Sequence, residues 1–420
     1  MKKTEPIIAF IFLLVVLFLG ATFLVSSSLF LRLIVGMMLG YSLTRGYTGF
    51  AGSVNRAINT GSTKLMRSMM LMFFIAAAVC SGLYMLGGVE SFDLWILPIN
   101  LGLIVGAILF GFGMSFSVCC ASGVLTDLVV GFPRAFVTLI FFMLGVFIGF
   151  PIQRTASWVN FSWFTSETGK LFDGGVFLPD LFKFDGLNGY LGAIILVAIF
   201  CIIVSALAYL YEKKRRANGT YTGVLSEKMT EAPMEFDMAK SNPFSMDNYR
   251  RVVVKPWNLT QASIALAITF IFMMMAFHAG WGASTPYGMW FGKILMVFGV
   301  SADSLAAFTK MAPEFYTRPF FEHPINVQNF GILLGTIFYL LSAGVFKQMV
   351  SSELNHDIKH YLLYALGGIT MGFGTRLANG CNVGALFTPV ANLSLSGWFF
   401  LVFMIVGGIL GAKFGKLVKA

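Results

Sequence analysis

Two stretches place cysteine where an apolar run breaks. GFGMSFSVCCASGVL (111–125) sets Cys119 and Cys120 among glycine and serine, and GFGTRLANGCNVGAL (372–386) does the same for Cys381. Thiols are soft groups that donate and accept weakly, and no CxxC spacing for zinc or haem is present. In each stretch an apolar helix runs into a kink, then a short apolar segment (123–131 and 384–391), then a full apolar run. The short segments cannot cross a bilayer and read as re-entrant half-helices, with Cys120 and Cys381 just ahead of their N-termini. Free backbone N–H groups and the positive dipole end make such a turn an anion site. Gly113, Gly123, Gly374, Gly380 and Gly384 would let a ligand approach the backbone closely. Backbone donors combined with sulfur suit a small anion that itself presents sulfur or selenium.

Neighbouring residues extend the candidate pathway. Arg376 lies beside the second kink in a run otherwise without charge, and intramembrane ionisable residues are usually functional. Its repeat counterpart Ser115 is neutral, which leaves a loop-anchoring role open for the arginine. Asn379 either donates an amide or tolerates a left-handed kink. Cys119, beside Cys120, has glycine as its counterpart, and Ser122 leads into the first short segment. Asp127 could cap, pair with a cation or carry protons. Cys80 and Cys201 sit in uninterrupted apolar runs and read as small hydrophobes. Two further Gly/Ser/Thr-rich stretches, RGYTGFAGSVNRAINTG (45–61) and FHAGWGASTPYG (277–288), line the path or form surface turns.

The elements holding these residues belong in a membrane. Of 420 residues 57% are hydrophobic and only 11% charged, whereas about a quarter of an ordinary soluble chain is charged. Apolar runs at 7–26, 28–44, 66–87, 95–114, 134–153, 189–211, 260–279, 328–349, 361–374 and 395–416 predict about ten spans of ~20 residues. The fold class is therefore an all-α polytopic membrane protein. The net charge of +10 does not indicate nucleic acid, because the basic residues gather at span ends, as in YEKKRR (211–216) and GAKFGKLVKA (411–420). That bias puts both termini in the cytoplasm. The N-terminal run lacks a clear small-x-small cleavage site and reads as a retained first helix. Residues 213–256 have the mixed polar composition of a cytoplasmic linker. They divide an N-terminal membrane half, 1–212, from a C-terminal one, 257–420.

The halves repeat each other. At an offset of 261 residues Gly106, Gly111, Phe112, Gly113, Cys120, Gly123 and Leu125 meet Gly367, Gly372, Phe373, Gly374, Cys381, Gly384 and Leu386. One residue further on, Gly145 and Gly149 meet Gly407 and Gly411. The span count sends the two copies across in opposite directions. Inverted repeats with broken helices at midplane are a recurrent transporter design.

At these residues the chain resembles the YeeE/YedE family of bacterial inner-membrane sulfur transporters. The resemblance rests on GFGTRLANGCNVGALF with SLSGWFFLVFMIVGGILGAKFG, on GFGMSFSVCCASGVL with its following span, and on RGYTGFAGSVNRAI. It implies an hourglass of inverted halves taking up thiosulfate, passed along constriction cysteines by S–H···S hydrogen bonds. Cys120 and Cys381 match the central family cysteines. A third, in the early motif, is absent, with Gly49 and Phe50 in its place, which keeps a selenium compound open as substrate. The resemblance also suggests delivery to a small cytoplasmic sulfur-carrier protein. No cofactor, metal or nucleotide motif is found.

A helix N-terminus favours the thiolate, but a thiolate would repel a dianion by several kcal/mol at ~4 Å in a low-dielectric site. Relay by S–H donation therefore requires protonated thiols. A reactive thiolate would instead form a persulfide and make the chain a membrane sulfurtransferase or thiol oxidoreductase.

Overall fold

The computed structural model describes residues 4–117, 119–231, 245–350 and 357–418. Apolar runs of membrane length become long helices: α1 (Thr4–Phe23), α2 (Ser27–Gly46), α4 (Lys64–Gly87), α5 (Leu101–Ser117), α7 (Phe132–Thr155), α8 (Tyr190–Ala217), α9 (Leu259–Phe277), α11 (Pro324–Ala343), α12 (Ile358–Leu377) and α13 (Ser396–Leu417). Between them lie the shorter α3 (Ala51–Thr60), α6 (Gly123–Val130) and α10 (Thr285–Val297). Among the described residues eight helical segments are long and apolar enough to cross a membrane. Two of the ten expected spans fall outside that set for different reasons. Helix α5 has only 17 residues, because 94–100 before it are not helical. Helix α12 has 20 residues but carries Lys359, His360, Arg376 and several glycines. Such a helix is stable at membrane depth only when protein surrounds it.

The packing pairs come in matched sets. Helix α12 lies against α7 and α13 against α5, while α5 and α12 cross each other. Likewise α11 packs on α2 and α9 on α4, α1 on α11 and α8 on α4, and α10 on α7 and α3 on α13. The repeat glycines sit at these crossings. A methyl group on Gly111 would lie 2.1 Å from the Met404 carbonyl oxygen, and one on Gly372 2.3 Å from that of Phe142. Small residues let membrane helices approach closely enough for dispersion to hold them where lipid offers no hydrophobic drive.

The bundle has two distinct ends. At one, the basic end, α8 finishes with Lys214, Arg215 and Arg216, and α4 begins at Thr63, whose N–H donates to Glu212 at 3.0 Å. At the other, the loop end, residues 156–189 fold over the helix ends. There Leu178 N–H donates to Leu393 O at 2.8 Å and Leu395 N–H to Val176 O at 3.0 Å.

The expected linker is more ordered than its composition implies. Its first residues extend α8, and Leu225–Glu231 forms a helix docked under α3. Glu227, 2% exposed, pairs with Arg56 at 3.1 Å and accepts from Ser62 at 2.5 Å. Tertiary ion pairing, which local composition does not report, holds the segment there. Residues 232–244 of the linker lie outside the described residues.

Candidate functional site

The first cysteine turn starts where α5 ends. Ser117 Oγ donates to Gly113 O at 3.1 Å and Arg134 Nη1 donates to the Ser117 carbonyl at 2.9 Å. Arg134 also pairs with Asp127 at 3.0 Å, so both charges are committed at the turn. The chain then enters α6, where Gly123 N–H donates to Cys120 Sγ at 3.4 Å and Val124 N–H to Cys120 O at 2.8 Å. The second turn follows α12. Asn379 takes a left-handed conformation, φ 56°, and the chain reverses into a π-turn, Asn382–Phe387, continued by Thr388–Ala391. Ala385 N–H donates to Cys381 O at 2.6 Å, and the N–H groups of Val383 and Gly384 reach the Cys381 thiol. In both copies the glycine three residues after the cysteine serves its sulfur. A sulfur that accepts from backbone keeps its own S–H for another acceptor.

Both turns converge on a phenol from a third element. Tyr287, fully buried near the start of α10, donates its hydroxyl to the Ala121 carbonyl. Cys381, Cys120 and Cys119 all lie within its electrostatic reach. The three thiols are themselves 0%, 1% and 2% exposed. Ser284, three residues before Tyr287, lies near the Cys381 thiol and accepts from Arg376 Nη2 at 2.9 Å. The buried guanidinium of Arg376 also reaches Thr285 at 3.3 Å and Gln153 at 3.4 Å, and lies 5.4 Å from the Phe150 ring centroid. Among the described residues its hydrogen-bond partners are hydroxyls and an amide, and its nearest charged neighbours are Cys381, should that ionise, and the cation Arg154. A buried cation set among neutral acceptors attracts an anion.

The remaining sequence-selected residues divide. Ser122 Oγ stands 3.5 Å from Cys120 Sγ, and Gly123 adjoins the same sulfur. Asn379 takes the kink role through its left-handed backbone, and its Oδ1 accepts from Gln153 at 2.6 Å where an amide donor was the other expectation. Gly380 allows the backbone reversal, a methyl group there meeting Gly384 C at 2.5 Å, and Gly384 faces Trp95. Gly113 and Gly374 make a different close approach from the ligand contact expected. A methyl group on Gly113 would lie 2.5 Å from Gly367 O, and one on Gly374 2.6 Å from Gly106 O, so they serve the α5–α12 crossing. Ser115 turns away from the thiols and donates to Gly408 O of α13 at 3.0 Å. Tyr287, Ser284 and Gln153 were not singled out by type. Ser284 and Tyr287 fall within the Gly/Ser-rich stretch 277–288, whereas Gln153, at the end of α7, carried no such signal.

A helical bundle of membrane-length elements, broken at two buried thiol turns, defines a polytopic membrane protein of the transporter class. The chain belongs to the sulphur-transport family, whose profile matches residues 45–410. Over 390 residues it is 25% identical to the thiosulfate transporter TsuA of Spirochaeta thermophila, covering 89% of this chain and 95% of that one. A 165-residue stretch is 28% identical to the probable transporter YedE of Escherichia coli, 39% of the length of each. A 51-residue stretch is 43% identical to TsuA of Escherichia coli, 12% of this chain and 14% of that one.

Proposed function

We propose that this chain is an uptake permease of the bacterial inner membrane for a small sulfur-containing anion, thiosulfate first among candidates. The observation that carries the reading is the pair of buried cysteine turns about Tyr287, whose hydroxyl bonds the Ala121 carbonyl and whose electrostatic surroundings include Cys381, Cys120 and Cys119. The matched packing sets support two halves of inverted orientation. The positive-inside bias assigns the basic end to the cytoplasm, together with both chain termini. The anion enters from the loop end, meets Arg376, accepts S–H from Cys381, passes Tyr287 to Cys120 and leaves toward α6. Sulfurs that accept backbone N–H can donate S–H without ionising, which avoids the repulsion between a thiolate and a dianion. A small sulfur-carrier protein at the basic end is the proposed acceptor.

A selenium compound is the second reading. In the early motif Gly49 and Phe50 stand where the family resemblance implies a cysteine, and Phe50 is buried against Trp281 and Phe387 at ring distances of 6.1 and 6.2 Å. That wall is apolar where a third thiol would stand.

The test is uptake of radiolabelled thiosulfate into proteoliposomes, with sulfate, sulfite and selenite as competitors. Cys120→Ser and Cys381→Ser are each expected to abolish uptake, while Cys80→Ala retains it. Undiminished uptake by the double serine variant would sink the relay, and preferential competition by selenite would favour the second reading.

A further inference from the structure

The two ends of the bundle treat equivalent helix starts differently. At the basic end the N-terminus of α4 holds a carboxylate. Thr63 N–H and Oγ1 donate to Glu212 Oε2 at 3.0 and 2.9 Å, with Arg67 at 3.2 Å and Arg216 at 2.7 Å. Helix α11 holds the matching position at the loop end, where α1 packs on it as α8 packs on α4. Helix α1 carries no acid beyond Glu5, so nothing in it corresponds to Glu212.

The residue 261 positions after Arg67 is Gln328, fully buried. Its Oε1 accepts from Arg32 Nη1 at 3.5 Å, and its Nε2 is buried without a hydrogen-bond partner. Nδ1 of His323, the residue preceding α11, is likewise buried and unpartnered. Arg32 lies over the Phe277 ring at 4.2 Å. Burial, then the charges of Arg318 and Arg32, push His323 down to about 4, so two cations lie close enough to His323 to act on it. The carboxylate acting on Arg32 is the exposed Asp93.

We propose that the start of α11 is a second anion site. In it the Arg32 guanidinium, the Gln328 amide, His323 and the helix N-terminus hold a tetrahedral oxyanion, with Arg318 at the rim. The ion takes the place that the Glu212 carboxylate fills at α4. The chemistry fits a sulfate-type anion or the phosphate of a lipid headgroup. The site rests on the repeat reading given above and is independent of the cysteine relay. Asn329, the next residue, donates to Ala283 O at 2.9 Å, one residue from Ser284. This joins the site to the Arg376 cluster.

The experiment uses the Cys120→Ser/Cys381→Ser protein, so relay failure cannot mimic loss of this site. Binding of radiolabelled sulfate is measured in nanodiscs of zwitterionic lipid, and retention of phosphatidylglycerol by native mass spectrometry. One of the two ligands is expected to bind saturably and to weaken about tenfold or more in Arg32→Gln and Gln328→Leu, as loss of a charge-assisted hydrogen bond requires. Gln328→Glu supplies the missing carboxylate and is expected to exclude the ligand while keeping or raising Tm, which separates site loss from unfolding. Sulfate binding identifies a free anion and phosphatidylglycerol retention a headgroup. Absence of both, or binding that survives all three substitutions, overturns the site.

Discussion

Tyr287 ties the first thiol turn to α10 through its hydrogen bond to the Ala121 carbonyl. Its ring packs edge-on against Phe142 and Trp290 at 5.3 and 4.8 Å, so Tyr287→Phe preserves the apolar contacts and removes only the bond to Ala121 O. A buried carbonyl left unpaired costs about 1–3 kcal/mol. We expect a lower Tm together with a larger fractional fall in thiosulfate uptake than the stability loss explains. An unchanged uptake rate would separate the phenol from the pathway. Chemistry at this scale was half legible. Cysteine beside glycine at a helix break is a local signal, whereas a tyrosine in an aromatic-rich chain carries none until its hydroxyl is located.

At the level of elements, the two interrupted helices follow directly from short apolar segments between kinks. The expected 123–131 and 384–391 are Gly123–Val130 and Asn382–Ala391, the latter opening as a π-turn. The matched glycines were legible as a repeat but not as a set of crossings, because a glycine's neighbour across a helix pair is absent from local sequence. Gly111→Val forces a side chain against the Met404 carbonyl and should cost about 1–3 kcal/mol or more. Gly82 of α4 faces open space, and Gly82→Ala there should gain about 0.5–1 kcal/mol. Thermal melts in detergent check both, and equal shifts would refute the packing role. The docked segment makes a separate prediction. Glu227→Ala strands the partly buried Arg56 and should cost about 3 kcal/mol, freeing Leu225–Glu231. Limited proteolysis is expected to cut there faster than in the parent, and identical rates would contradict the docking.

For the whole molecule, the consequence of the matched packing is a difference between the ends. At the basic end Glu212 pairs with Arg67 and Arg216, and Glu227 with Arg56, while the buried Arg45 there is bonded to the Tyr41 hydroxyl and to backbone carbonyls. At the loop end, Arg32 and Arg376 are bonded to neutral side chains. Among the described residues, Arg32 and Arg376 at the loop end therefore lack the bonded carboxylate that Arg56, Arg67 and Arg216 have at the basic end.

Composition and apolar run length were enough for the membrane class, and the spacing of Gly and Cys was enough for the two breaks, because burial in lipid and helix interruption are properties of local sequence. Only the tertiary structure decided which glycines serve helix crossings, where Ser115 points, that part of the linker docks, and that Tyr287 bonds the Ala121 carbonyl of the first thiol turn. Those features join residues far apart in the chain, and the contacts that select them form when the helices pack.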